Sequence, residues 1–301
     1  MSEFSQLGFI GVGVMGEPIC RNLAQKGGLP VLACDKNPEP LARLAGHGVV
    51  AADVSRIMRE CDVVFLSLPS GELVDQLARQ PGGLLELVRT GQIVVDTSTS
   101  PVDLTRQLRD SFLAKGAEFV DAPVARTRAA AEAGTLAVMV GAEPALFERI
   151  RPYIATYATE ITLCGPIGSG QVIKILNNMV LFQTVVALSE ARAIARRSGV
   201  DPDVLFNTMA KGSADSFALR NHGLKAILPG NFPEKAFPVD YAHKDLRYAL
   251  ALAEQTDVDA RGARNVAHWF DEAAALGLGQ SYFPVVSRVI DQDAPPIQAS
   301  P

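Results

Sequence analysis

Phe9-Ile10-Gly11-Val12-Gly13-Val14-Met15-Gly16 runs a short apolar stretch into three glycines spaced G-x-G-x-x-G, and a helical pattern follows from Met15 to Lys26. The spacing alone also fits an ordinary glycine-rich turn. The apolar run before it and the helix after it supply the specificity. In that setting Gly11 permits a tight turn, Gly13 lets backbone approach a pyrophosphate, and Gly16 lets helix and strand pack closely. The helix N-terminus, including Val12, Val14 and Met15, offers unpaired N–H groups and the positive end of the helix dipole to phosphate oxygens. An acid about 20 residues on completes the pattern, and Asp35 follows the apolar run Val31-Leu32-Ala33-Cys34. A carboxylate there accepts a hydrogen bond from a ribose 2′-hydroxyl and repels a 2′-phosphate, which favours NAD. The adjacent Lys36 could screen such a phosphate, so NADP stays open.

Outward from this loop the first half of the chain alternates. Apolar runs at Pro30–Cys34, Val63–Leu68, Ile93–Asp96 and Phe119–Val124 are separated by helical patterns. Such alternation predicts βαβ units: a doubly wound parallel sheet of Rossmann type, with helices on both faces. Thr135–Val140 and Glu160–Leu163 extend the sheet, with a helix over Pro144–Tyr157 between them. The pattern changes at Gly165-Pro166-Ile167-Gly168. From Ser169 to about Ser198 no proline intervenes, and the only glycine is Gly170. That predicts one helix roughly 40 Å long at 1.5 Å per residue. Beyond Ser198 the chain reads as helices joined by Gly/Pro loops. The expected division is a dinucleotide-binding domain over residues 1–165, an all-helical substrate and oligomerisation domain over 166–291, and a flexible tail over 292–301.

Composition narrows the function classes. Of 301 residues, 48% are hydrophobic and 20% charged, which fits a soluble globular chain with a real core. Lys and Arg number 28 against 33 Asp and Glu, a net −5, with no dense basic run for nucleic acid. Cys20, Cys34, Cys61 and Cys164 are scattered, without metal-ligand spacing, and read as reduced structural thiols with no metal centre. The N-terminus has no basic region ahead of its apolar stretch, so it is no secretory signal. Ile175–Ser189 is uncharged and mostly apolar, but it holds Asn177, Asn178 and Gln183 and is shorter than the roughly 20 residues a bilayer needs. It is expected to be a buried helix. The resulting expectation is a cytoplasmic protein with no membrane partner.

Lys174, Asn177 and Asn178 stand in this otherwise apolar helix, three and four residues apart and so on one face. Burying such groups without partners is costly. They form either a structural polar network or the centre of a reaction. Further motifs bear on the choice. Gly11–Leu23 resembles the cofactor segment of the β-hydroxyacid dehydrogenases. Asp96-Thr97-Ser98-Thr99 is similar to that family's D-x-S-T. Asp121-Ala122-Pro123-Val124 followed by Gly134-Thr135-Leu136 resembles its D-A-P-V…G-T-L. Gly168-Ser169-Gly170…Lys174…Asn178 resembles its catalytic helix, and Lys244-Asp245-Leu246 its late K-D-L. These five segments keep the family's order across nearly the whole chain.

The resemblance implies an NAD(P)-dependent oxidoreductase that interconverts a small anionic hydroxy acid and its aldehyde or semialdehyde. It makes Lys174 the general acid/base, which needs a pKa well below the roughly 10.4 of an exposed lysine. It makes Asn178 the group that orients the reacting oxygen, with Asn177 behind it. Ser98 and Thr99 lie near substrate and nicotinamide, Lys244 contacts the cofactor, Phe237 covers the nicotinamide, and Leu68 and Pro69 join the cofactor site. Where the family usually has Ser-Gly-Gly after D-A-P-V, this chain has Ala125-Arg126-Thr127. That variant resembles the sulfolactaldehyde reductase-like branch, and it makes Arg126 a candidate anion clamp with Thr127 beside it, for a carboxylate or a sulfonate. Related decarboxylating enzymes have a glutamate where this chain has Leu181, which favours simple oxidation or reduction. Two other readings exist on the same fold: an imine-type C=N reductase, and a non-catalytic NAD-binding scaffold. Lys174 stands against both. The apolar helices lead to the expectation of a homodimer or homotetramer.

Overall fold

A computed structural model of the chain describes residues 3–234 and 236–293. The chain divides into two compact units, Met1–Lys174 and Ile175–Pro301. Of the tail expected at 292–301, residues 294–301 lie outside the described residues.

The first unit is built on β1 (Leu7–Ile10), β2 (Val31–Cys34), β3 (Val49–Ala51), β4 (Val63–Leu66), β5 (Ile93–Asp96) and β6 (Glu118–Asp121). All six are parallel, in the order β3-β2-β1-β4-β5-β6. Each central strand divides its apolar residues by parity, because successive side chains point to opposite faces. Leu7, Phe9, Val63, Phe65, Ile93 and Val95 enter one core; Ile10, Val64, Leu66 and Val94 enter the other. With both faces buried, these strands read as continuous apolar runs. Helices α1 (Gly16–Lys26), α2 (Pro38–Ala45), α3 (Val54–Glu60), α4 (Gly71–Arg79), α5 (Leu84–Leu87) and α6 (Val102–Leu113) follow the strands in turn. Ile19 and Leu23 of α1 cover the first face; Ile57 of α3, Val74 of α4 and Phe112 of α6 cover the second.

The doubly wound parallel sheet is as expected through β6, and beyond it antiparallel pairs are added. Strand β7 (Val124–Ala125) leads through α7 (Arg128–Ala133) into β8 (Leu136–Gly141), and β8 runs antiparallel to both β6 and β7. The segment between β7 and β8 is shorter than the dozen or so residues of a parallel crossover, so the chain turns back on itself. Helix α8 (Pro144–Ile154) then returns it to β9 (Ala158–Gly165), parallel to β8. Strand β3 had no signal in the sequence: it has three residues, and two are exposed.

Helix α9 (Ser169–Arg197) is a single 29-residue helix that begins in the first unit and continues into the second. By length and composition it passes the test for a membrane span. Within the second unit, however, Phe182, Val185, Val186 and Leu188 are buried in the core, so it is a core helix. The second unit continues with α10 (Pro202–Met209), a π-helix at Leu219–Ile227, α11 (Val239–Gln255), α12 (Arg261–Ala275), a 3₁₀ turn at Phe283–Val285 and α13 (Val286–Ile290). No strand forms among its described residues. Phe182 centres an aromatic cluster with Phe237, Phe270 and Phe283. The fully buried Asp291 is gripped by Arg192, Arg196 and Arg197 of α9, at 3.6, 2.6 and 3.3 Å, which pins the end of α13 to that helix.

Candidate active site

The glycine loop lies at the carboxyl ends of β1, β2 and β4, where open α/β sheets bind ligands. Gly11 has φ +92°, and a Cβ there would strike Ser67 O and come within 2.9 Å of the Leu68 side chain. A Cβ on Gly16 would strike Gly11 O, so the helix can start this close to the strand only without one. Gly13 differs: it is exposed, and a Cβ would meet nothing within 4 Å. Space is therefore left over the loop, and the N–H groups of Gly13, Val14 and Met15 take no backbone acceptor among the described residues. The Val12 N–H instead donates to Asp35 Oδ2 at 2.7 Å, while Asp35 Oδ1 accepts from Asn37 N at 2.8 Å. The acid at the end of β2 is thus held against the loop, with Lys36 exposed beside it. Donors, open space and a placed carboxylate together fit an adenosine pyrophosphate.

A second set of residues gathers at the ends of β5 and β6 in the same unit. Asp96 is fully buried; its Oδ1 accepts from Ser98 N at 2.9 Å and its Oδ2 from Ser100 Oγ at 3.0 Å. The loop is thereby folded over the strand end, and Leu68 N donates to Ser98 Oγ at 2.9 Å. Sequence reading brought Ser98 and Leu68 to the site separately, and here they touch. Thr99 is half-buried and Pro69 exposed.

Asp121, at the end of β6, was seen in the sequence only as part of a motif. It is fully buried and caps α9: Oδ1 accepts from Gly168 N at 2.7 Å, and Oδ2 from Gln171 N at 2.8 Å. Burial pushes its carboxyl up to about 7, opposed by these two backbone donors and aided by the nearby Asp96. Gly170 is required here because a Cβ would strike Met139 O and approach Asp121 Oδ2 to 2.7 Å. The glycines ahead of Lys174 therefore serve helix docking. Lys174 follows one turn later and is half-buried.

In the second unit Asn178 is buried, and its Nδ2 donates to Asp245 Oδ2 at 2.7 Å. Asn177 Nδ2 donates to Asn178 Oδ1 at 3.2 Å. Lys244 Nζ lies 2.9 Å from Asp245 Oδ1 and 4.9 Å from the centre of the Tyr248 ring. Asn178 and Lys244 thus converge on one buried carboxylate, with Asn177 bound to Asn178, and sequence reasoning did not single that carboxylate out. Its only signal was its place in the Lys244-Asp245-Leu246 segment. Phe237 is half-buried, its ring 6.0 Å from Phe182 and 5.7 Å from Phe283, and its carbonyl accepts from Phe283 N at 3.0 Å.

Arg126 is not aimed into open space. Its Nη1 donates to Thr135 O at 2.6 Å and Thr159 Oγ1 at 3.2 Å, and its Nη2 lies 3.9 Å from Glu160 Oε1. Its backbone has φ +85°, a left-handed conformation that a glycine adopts without strain. Thr127 is the N-cap of α7, accepting from Ala130 N at 3.4 Å. Neither side chain is brought to Ser98 or Thr99 by a hydrogen bond among the described residues.

A 3-2-1-4-5-6 sheet with a glycine loop and a strand-end acid, followed by a helical unit, defines a dinucleotide-dependent oxidoreductase. Comparison with known proteins agrees throughout the chain. Residues 6–165 match the NAD binding domain of 6-phosphogluconate dehydrogenase, and residues 168–289 match the NAD-binding domain of NADP-dependent 3-hydroxyisobutyrate dehydrogenase. The chain is 32% identical to 2-(hydroxymethyl)glutarate dehydrogenase of Eubacterium barkeri, covering 97% of each chain. It is 31% identical to 2-hydroxy-3-oxopropionate reductase of Escherichia coli, over 91% of this chain and 93% of that one. A solved structure of Mycobacterium tuberculosis 3-hydroxyisobutyrate dehydrogenase with L-serine is 28% identical, with TM-score 0.84, covering 96% of this chain and 99% of that one. The protein belongs to the β-hydroxyacid dehydrogenase family, and it is an NAD(P)-dependent oxidoreductase.

Proposed function

We propose that this enzyme interconverts a small hydroxy carboxylate and its semialdehyde, with the oxidised carbon β to the carboxylate, and that it prefers NAD. The substrate class is supported by the named relatives, whose hydroxyl or aldehyde carbons stand in that position. The NAD preference is supported by Asp35, which sits against the glycine loop where a 2′-phosphate would meet its charge.

When bound, a nicotinamide would supply the hydride acceptor for the hydroxyl-bearing carbon, or the hydride donor in the reverse direction. The hydroxyl proton goes to Lys174 Nζ as the carbonyl forms, and comes back from it on reduction. Ser98 and Thr99 hold the substrate, and Asn178 orients the reacting oxygen. Lys244 and Phe237 serve the cofactor. The observation that carries the reading is the fixed Asn178 amide, one helical turn from Lys174 on α9 and tied to the buried Asp245 at 2.7 Å. A structural network would need no lysine at this spacing. The soluble character of such enzymes favours a cytoplasmic protein without membrane or nucleic-acid partners, acting as a homodimer or homotetramer.

Lys174→Ala tests the assignment. It is expected to lower kcat at least about a hundredfold, as loss of a general acid–base does, while NADH binding stays within twofold because Gly13 and Asp35 are untouched. Near-normal turnover would end it. A panel of β-hydroxy carboxylates, their semialdehydes and the matching sulfonates, followed by NADH absorbance, tests the substrate class.

A further inference from the structure

We propose that Gln171 is a positioning residue for the reaction, locking the Ser98–Ser100 loop to the first turn of the helix that carries Lys174. The proposal rests on Lys174 and the Ser98–Thr99 pair having the roles given above.

Gln171 is fully buried, and both ends of its side-chain amide are engaged. Nε2 donates to Ser98 O at 2.8 Å, and Oε1 accepts from Ser100 N at 3.0 Å. Its own backbone N–H is held by Asp121 at 2.8 Å. One residue thereby ties together the ends of β5 and β6 and the start of α9. The two bonds bracket Thr99: they fix the carbonyl before it and the N–H after it, so the residue between them is confined. Gln171 and Lys174 are three apart on the helix and share a face. A shift of this clamp moves the lysine relative to the substrate loop, and misplacement of about 1 Å can cost on the order of a hundredfold in rate.

The chemistry is specific to a primary amide. Ser98 O needs a donor and Ser100 N needs an acceptor, and a side chain of this length supplies both. A carboxylate would set negative charge against Ser98 O, whereas a protonated carboxyl could again donate there and accept from Ser100 N.

The molecule contains its own control. Gln92 lies just before β5, at the opposite end of the strand from the site, and is equally buried. Its Nε2 donates to Met58 O at 2.9 Å and Cys61 O at 2.7 Å, and its Oε1 accepts from Arg89 N at 3.2 Å. Gln92→Met and Gln171→Met therefore remove the same group from a similar depth near the two ends of β5.

Thermal midpoint, NADH affinity, kcat and KM would be measured for both variants and for Gln171→Glu. Gln171→Met is expected to lower kcat by about ten- to a hundredfold with NADH Kd within twofold, whereas Gln92→Met keeps kcat within twofold at a similar loss of thermal midpoint. Gln171→Glu is expected to recover toward the wild-type rate as pH falls from 8 to 5, the variant-to-wild-type ratio rising as the new carboxyl takes up a proton. Equal activity losses in the two Met variants, or no loss in Gln171→Met, would overturn the proposal. If Gln171→Met does not fold, a flat Gln171→Glu ratio across that pH range would do so instead. Lys174→Ala separates the two levels: an active Lys174→Ala enzyme defeats the reading of the site, while an inactive one beside a fully active Gln171→Met defeats only the clamp.

Discussion

Asp121 and Gly168 are 47 residues apart in sequence, yet the Gly168 N–H donates to the Asp121 carboxylate at 2.7 Å, and Gln171 N binds the other oxygen. A strand end thereby satisfies two of the orphan N–H groups at the start of a 29-residue helix. The arrangement leaves no room at Gly170, where a Cβ would press on Met139 O, Asp121 Oδ2 and Gly141 N. Gly170→Ala is expected to displace the helix start and to destabilise the first unit by roughly 1–3 kcal/mol, the cost of forcing atoms into a packed site. Turnover should fall with it, while NADH affinity holds. Chemical denaturation and titration with NADH check both parts, and a variant with unchanged stability would show that the helix start can yield.

Asp35 is held by Val12 N and Asn37 N, so its charge stays beside the glycine loop. Asp35→Ser should remove the repulsion of a 2′-phosphate and raise kcat/KM for NADP relative to NAD, with the exposed Lys36 available as a counter-charge. Steady-state kinetics with each cofactor measure the ratio. Wild-type enzyme that already prefers NADP at equal concentration would contradict the role given to Asp35.

Arg126 offers a sharper choice. A clamp would hold its fork toward an anion, but the guanidinium binds Thr135 and Thr159. The registers of Asp121 and Ala125 on β8 differ by four residues, from Gly141 to Ala137. At ~3.3 Å per residue, Ala125 lies about 13 Å along the sheet from Asp121, and Arg126 follows it. Arg126→Gly is therefore expected to leave KM for the carboxylate substrate within about twofold. It also relieves a positive φ that costs a non-glycine residue on the order of 1 kcal/mol. A KM increase of tenfold or more, with cofactor affinity unchanged, would restore the clamp.

The parts legible in the sequence are those written in local pattern. Phe9-Ile10-Gly11-x-Gly13 placed the nucleotide loop because tight turns and close approach demand glycine where they occur. The alternation of apolar runs placed the sheet because both its faces are buried. The contacts of Asp121, Gln171 and Asp245 were hidden because each acts on a residue distant in sequence: Gln171 meets Ser98 across 73 positions, and Asp245 meets Asn178 across 67. Their chemical need, a buried polar atom requiring a partner, can be inferred from residue type, but the partner cannot. Arg126 is a different case. Its place in a motif pointed to a ligand, while the contacts that engage it come from Thr135, just before β8, and from Thr159 and Glu160 of β9.

His222, on the π-helix, connects stability to pH. It is 5% exposed, and its Nδ1 lies 2.5 Å from the Tyr282 hydroxyl, with the rings of Phe217 and Phe283 against it. Burial lowers its pKa to about 4, so the folded protein keeps the imidazole neutral. In the unfolded chain the same group takes a proton near 6.5. The unfolded state thus binds more protons between these values, and stability falls as pH drops through that window. The loss is absent above pH ~6.5 and complete below the folded value, about 3 kcal/mol in all. His243 is also lowered by burial, so wild type alone does not isolate the effect. His222→Gln retains a polar partner for Tyr282 but no titration. Its stability at pH 7 is expected to be lower, yet its decline between pH 6.5 and 4.5 should be shallower than wild type by about 2 kcal/mol. The chain's one tryptophan, Trp269 on α12, reports unfolding of this unit by fluorescence in urea. Parallel declines in the two proteins would show that His222 is not the group whose proton uptake unfolds the helical unit.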